Sequence, residues 1–380
     1  TIVLYQTLLC FFMSGKVIIA WLFFVCIRLS CSIPQQCLIP FPQSYVAYSL
    51  TEHETIQVDG KLEEDAWRNV GWTEEFLDIQ GSRWPKPRYI TQAKMRWDDT
   101  YLYIGGYLQE PDVWANQTKH DSVVFKDNDF EVFIDPNGDT HWYKEFEINA
   151  INTTWDLELN KPYLNGGTPN SSWEMPSMKS AIYVDGPIND PSSKDIYWTV
   201  ELALPFKDII LHNDRVSAPP KNTDQWRINF SRVEWHVRVV GGHYEKIQGI
   251  PEDNWVWSPQ HAINMHLPER WGFLQFSTDK VNATKFVETP NWPVYSSLVM
   301  LYDAEKKFIA INGYYTANMS LLELPMALVS GDCHVKITVD VINTYKFSTT
   351  SQAEDPRLDI GHVRDDRLIW FTKTGSQLEM

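Results

Sequence analysis

The feature that most constrains this chain is a series of strand-length apolar runs, each closed by Gly, Pro, Asn or Asp. No long amphipathic helix interrupts them before residue 298. Residues 90–97 and 101–109 flank Asp98, Asp99 and Thr100, which is hairpin spacing with turn chemistry. In the second run Leu102, Ile104, Gly106 and Leu108 share one face and Tyr101, Tyr103, Gly105 and Tyr107 the other, so a core side opposes an aromatic side. Residues 130–135 and 145–150 flank Pro136, Asn137, Gly138 and Asp139, where Asn-Gly is a strong hairpin signal. Parity places Phe130, Val132, Ile134, Phe146 and Ile148 on one face, and Glu131, Glu145, Glu147 and Asn149 on the opposite one.

Further strands are expected at 56–60, 181–184, 197–204, 226–233 and 272–276, with a short acidic turn or helix at 62–67 laying Trp67 on the core. Many short strands without βαβ alternation predict an all-β fold, an antiparallel, jelly-roll-like β sandwich spanning 52–277. The Pro- and Gln-rich stretch 33–51 reads as a linker with little to bury. Beyond 277 the pattern changes: 298–311 has helical periodicity ending at Gly313, and strands follow at 335–342 and 368–372. This predicts a small C-terminal α+β appendage over 278–380.

The first 32 residues carry Lys16 and Arg28 and no acid; Lys16 precedes an apolar run over 17–27, and Ser30 and Ser32 follow. This is the pattern of a signal peptide starting at Met13, with the residues before it an artefact of the start, and it predicts secretion to the extracellular space. An uncleaved anchor is the alternative, but the run is shorter than the roughly 20 residues a span requires, so the mature chain is expected to have no membrane span. Losing those two positive charges takes the net charge from −16 to −18, which argues against nucleic acid as a partner. Cys37 and Cys333 are the cysteines outside that segment, readable as a disulfide or as two free thiols. Sequons at Asn116, Asn152, Asn170, Asn282 and Asn318 are glycosylation candidates; Asn229 lies in a strand-like run and is expected to be unused.

Val58, Asp59 and Gly60 with Trp67, then MRWDDTYLY at 95–103, NDFEVFID at 128–135, residues 226–230 and residues 257–272 together resemble family 9 carbohydrate-binding modules of the wider DOMON-like group. The segments FSRVEW at 230–235 and PEDNWVWSPQ at 251–260, with the appendage, resemble a larger secreted subgroup of that family. The resemblance implies a DOMON-like β sandwich that binds sugars and, in several members, carries structural calcium. It also implies a sugar clamped between two tryptophans, at positions held here by Phe125 and Met265. Glu131 matches the hydroxyl-binding acid of the family, and Glu147 stands where better-studied modules have an arginine. An altered ligand is therefore expected.

The expected ligand site is a polar and aromatic face bearing Phe125, Glu131, Glu147 and Met265, because sugars need hydrogen-bond acceptors at their edges and rings against their C–H faces. Trp142, Trp155, Trp173 and Trp255 sit beside polar residues and could supply a rim; Trp142, Trp255 and Arg232 complete the candidate set. The competing reading pairs Glu131 and Glu147 with Arg227 or Arg232 as a polar network. Asp135, Asn137 and Asp139 have alternating oxygen-ligand spacing but are read as a turn. Glu110 and Asp112 are the calcium candidates by resemblance. No cofactor is required by any motif, although Met265 and His266 raise haem, against which stand the opposite faces of adjacent strand residues and the absence of a haem-attachment motif. The expected function is a secreted carbohydrate-binding protein for a mono- or oligosaccharide, more a binding module than an enzyme. The alternatives are a glycoside hydrolase or carbohydrate-catabolism accessory protein using Glu131 and Glu147, and an extracellular adhesion protein without a small ligand. Oligomeric state is not readable from the sequence.

Overall fold

The computed structural model describes residues 3–13, 16–26 and 37–374, the first two segments as the backbone of an antiparallel strand pair. The leader reading falls largely on residues whose side chains, or whose structure altogether, lie outside that description.

The body of the protein is a 13-stranded sheet that curls on itself so that its two halves face one another. One half runs Thr154–Leu159, Tyr143–Asn149, Asp129–Asp135, Gln225–Glu234 and Gly272–Ser277; the other runs Thr91–Trp97, Tyr101–Gln109, Tyr197–Pro205 and Lys179–Val184. Between the halves lie the faces that parity assigned to the core: Leu102, Ile104 and Leu108 meet Phe130, Val132, Phe146 and Ile148. Phe76, Phe130 and Phe230 stack there with ring centroids 5.6 and 6.4 Å apart. Gly106 marks the closest approach, since a Cβ at that position would stand 3.3 Å from the Phe130 ring.

Two expectations are corrected here. The stretch 33–51 is not a bare linker: its segment Ser44–Ser49 is a central strand that joins the halves, and it runs parallel to both Gly272–Ser277 and Thr91–Trp97. The sheet is therefore mixed, not wholly antiparallel. Ala47 and Tyr48 are buried, and Trp97 Nε1 and Arg96 Nε donate to their carbonyls at 2.9 Å. Pro and Gln around this strand hide it from a composition reading, while its alternation is too short to signal alone. Conversely, residues 56–60 form no strand. The amides of Asp59 and Gly60 donate to the buried Glu201 carboxylate at 2.9 and 3.0 Å instead of to a ladder, and Trp67, on the short helix Asp65–Arg68, donates to the same group.

The C-terminal unit is a helix, Trp292–Asn312, closed by Gly313 in the left-handed region and packed on a four-stranded antiparallel sheet beginning with Val335–Asn343. It is welded to the sandwich. Phe273 of the sheet packs with Trp292 and Tyr295 of the helix, Arg270 pairs with Asp303 at 2.7 Å, and Cys37 and Cys333, both buried, form a disulfide. Among the described residues no helix is long and apolar enough to cross a membrane.

Candidate functional site

The strands Asp129–Asp135, Tyr143–Asn149 and Thr154–Leu159 turn their second face away from the core. Cross-strand pairing sets Glu131 opposite Glu147 and Glu147 opposite Trp155, while Glu131 neighbours Ser231 on its other side. Glu131, Glu145 and Glu147 form the floor of a cavity of roughly 440 Å³, within the size range of small-ligand sites. Loops supply the walls: Phe125, Tyr163, Asn264, Met265 and His266.

Phe125 sits in the single turn Val124–Lys126, which two hydrogen bonds hold against the sheet. Its amide donates to Glu147 Oε2 at 3.0 Å, and Trp235 Nε1 donates to its carbonyl at 2.9 Å. The Phe125 and Trp155 rings lie nearly parallel, 27° between planes and 6.4 Å between centroids, a ready-made aromatic platform. Phe125 is 38% exposed and Tyr163 40%, so both have ring surface to offer a ligand. The half-buried His266 shares a 2.8 Å hydrogen bond with the Tyr143 hydroxyl and meets the edge of Tyr163 at 4.4 Å. Burial pushes the imidazole down to about 4, so at neutral pH it is an uncharged ring.

The floor is electrostatically unusual. Glu131, Glu145 and Glu147 are all buried, as is Asp129 one step along the strand. Among the described residues none of the four makes an ion pair with Lys, Arg or His. Desolvation raises Glu131 to about 7. Desolvation and then the Glu131 charge push Glu145 and Glu147 well above the ordinary carboxylate range, with Asp129 adding to the effect on Glu147. Desolvation and Glu131 raise Asp129 likewise. The floor therefore presents hydroxyl-ready oxygens with no cation of the protein's own beside them.

Four residues of the candidate set, Phe125, Glu131, Glu147 and Met265, come together in this cavity. The other three do not. Arg232 lies on the opposite face of its strand, fully buried, donating to Glu110 at 2.7 Å, Glu234 at 2.8 Å and Thr91 at 3.0 Å. Trp255 packs over that guanidinium inside the core. Trp142 is on the loop before Tyr143, against His212 at 4.6 Å, outside the cavity. The network that would have paired Glu131 and Glu147 with arginine is absent too: Arg227 donates to the carbonyls of Trp271 and Glu269 and stacks on Phe273.

Glu110 and Asp112 do not fit calcium, because Arg232 and Lys194 already neutralise them. Asp135 accepts from the amides of Gly138 and Thr140, as a turn requires. Met265 and His266 lie in a loop and both line the cavity, so the strand-parity reason for separating them does not hold. The five sequons Asn116, Asn152, Asn170, Asn282 and Asn318 are exposed, whereas Asn229 is buried and donates to Ser258 O. Glu145, Tyr163 and Asn264 were missed. Glu145 was visible in the parity, but Tyr163 and Asn264 come from loops whose position no local pattern reveals. A larger cavity of about 600 Å³ at the junction with the C-terminal unit is lined by the turn at 136–139, by Arg215 and Arg364, and by Trp226, Trp370 and Phe371 among others.

The cavity thus sets a stacked aromatic pair over three buried carboxylates on the outer face of the curled sheet. Residues 58–216 match the model of the family described as "Carbohydrate family 9 binding domain-like". The exoglucanase XynX of Acetivibrio thermocellus is 28% identical over 159 residues, which is 42% of this chain and 12% of that enzyme. The chain thus spans about an eighth of the curated relative it matches. Among solved structures, a candidate carbohydrate-binding protein from Bacteroides uniformis ATCC 8492 aligns over 62% of this chain and all of its own, with 16% identity and a TM-score of 0.47. A family 9 module from Caldicellulosiruptor kristjanssonii in complex with cellotriose aligns over 65% of this chain and all of its own, with 14% identity and a TM-score of 0.39. The family match supplies Phe125, Glu131, Glu147 and Trp155, while Met265 and His266 come from beyond it.

Proposed function

We propose that this chain is an extracellular carbohydrate-binding protein that holds a mono- or oligosaccharide in the cavity between Phe125, Trp155 and Met265. The observation that carries this reading is the convergence of a stacked aromatic pair and three buried carboxylates in one cavity of a family 9 carbohydrate-binding-like domain. The pyranose C–H face would lie on Phe125 and Trp155, and its hydroxyls would donate to Glu131, Glu145 and Glu147. The exposed sequons and the buried disulfide support an oxidising, secretory setting.

The carboxylate geometry favours binding over hydrolysis. Glu131 and Glu147 are cross-strand neighbours on one side of the cavity, with acceptor atoms within 4.8 Å. A glycosidase pair must flank the scissile bond, about 5–5.5 Å apart for retention and roughly 6.5–9.5 Å for inversion. A glycan array probed with the glycosylated wild type and with Phe125→Ala tests the proposal. Binding that the variant loses supports it, and a blank array for well-folded wild type, with protein partners recovered instead, would favour an adhesion role.

A further inference from the structure

We propose that the enclosed Asp129, together with Glu131 and Glu147 of the cavity floor, holds a divalent, oxygen-preferring cation of the calcium class just beneath that floor, with open coordination positions facing the ligand. The second part rests on the sugar reading above, but the cation site does not.

Each of the three residues offers a carboxylate oxygen, and these oxygens lie within 4.8 Å of one another. Calcium binds oxygen at 2.3–2.6 Å, so two of its ligands stand at most about 5 Å apart, and one ion can reach all three. All three side chains are at least 95% buried, and no Lys, Arg or His of the described residues pairs with them. Bare carboxylates in such a place cost several kcal/mol each (order of magnitude), and like charges directly opposite on a ladder are unfavourable.

A second observation is independent of the clustering. Asp129 Oδ2 and Glu145 Oε2 are buried without any hydrogen-bond donor, although Asp129 is wholly enclosed and Glu145 lines the same cavity. Asp129 uses its other oxygen to accept from the Val233 amide at 3.2 Å, and Glu147 accepts from the Phe125 amide at 3.0 Å. Asp129 and Glu147 are thus each oriented by one backbone donor that leaves their other oxygen free to ligate, as metal-ligating carboxylates are. An all-oxygen donor set selects a hard cation over zinc or copper. Calcium takes six to eight oxygens and three carboxylates supply at most about six, so positions remain for water or for vicinal hydroxyls of a sugar. The cation would then restore, by a different chemistry, the positive charge that an arginine at position 147 would have brought.

The test is calcium titration into chelator-treated full-length protein, without sugar, for wild type, Glu131→Gln and Glu147→Gln. Wild type should take up one more equivalent than either variant, and saturating calcium should raise its melting temperature by roughly 5 °C more than theirs. In chelator, Glu147→Gln should melt at or above wild type, which also shows that the variant folds. Equal calcium uptake in all three proteins, or a variant melting well below wild type in chelator, overturns the site. On any glycan the array identifies, chelator should weaken wild-type binding at least tenfold. Undiminished binding in chelator overturns the bridging role. If no glycan binds, the sugar reading fails while calcium uptake still decides the cation site.

Discussion

Removing the Phe125 ring should separate ligand affinity from fold in a way that its neighbours cannot. About six-tenths of Phe125 is already covered, by Trp155 and the loop, and 38% is left for a ligand. Full burial of a phenylalanine contributes about 1.5–3 kcal/mol, so Phe125→Ala should cost the fold roughly 1–2 kcal/mol. In the complex it loses the remaining third of that burial, near 1 kcal/mol, plus about 0.5–1 kcal/mol of ring stacking. Together these weaken sugar binding about 10- to 30-fold. Isothermal titration with the best glycan, alongside a thermal melt, measures both. Trp142→Ala is the control, since Trp142 is equally exposed but packs on His212 away from the cavity. If Trp142→Ala weakened binding as much as Phe125→Ala, or Phe125→Ala left it within twofold, the site would be misplaced.

Three further outcomes follow from the packing. Replacing Cys37 and Cys333 together by serine opens a loop with a sequence separation of 296, for which chain entropy gives an upper limit of about 5–6 kcal/mol. A loss of about 2–4 kcal/mol is expected in denaturant melts, and unchanged stability would mean the ends are held by packing alone. Arg232→Met strands the Glu110 and Glu234 carboxylates in the interior and should destabilise by about 3–5 kcal/mol, read as a fall in the denaturation midpoint. Glu201 is wholly buried, and desolvation raises its carboxyl to about 7 despite donors from Trp67, Asp59 and Gly60. The folded chain then keeps a proton that the unfolded chain releases above about 4.5. This contribution is complete below pH 4.5 and disappears as pH rises through 7, by no more than about 3 kcal/mol. Glu201→Gln should reduce the decline in melting temperature between pH 4.5 and 7.5, and an unaltered decline would show that Glu201 ionises normally.

By itself the sequence determined the local architecture, because period-two alternation and turn chemistry act over a few residues. Tyr101–Gln109 appears with those bounds, Phe130 and Ile148 face the core, Glu131 and Glu147 face away from it, and Gly313 ends the helix. The acid floor of the cavity was legible for the same reason: parity alone puts Glu131, Glu145 and Glu147 on one face. What only the tertiary structure decided was which distant segments meet. Strand pairing is set by burial across the whole sheet, so Ser44–Ser49, hidden among Pro and Gln, turned out to be the parallel strand that joins the halves. Arg232 and Trp255 went to the interior because Glu110 and Glu234 are there to neutralise the guanidinium, and Glu110 is 122 positions away along the chain. The loops bearing Tyr163, Asn264 and His266 owe their place in the cavity to where the sheet carries their ends, which no spacing along the chain encodes.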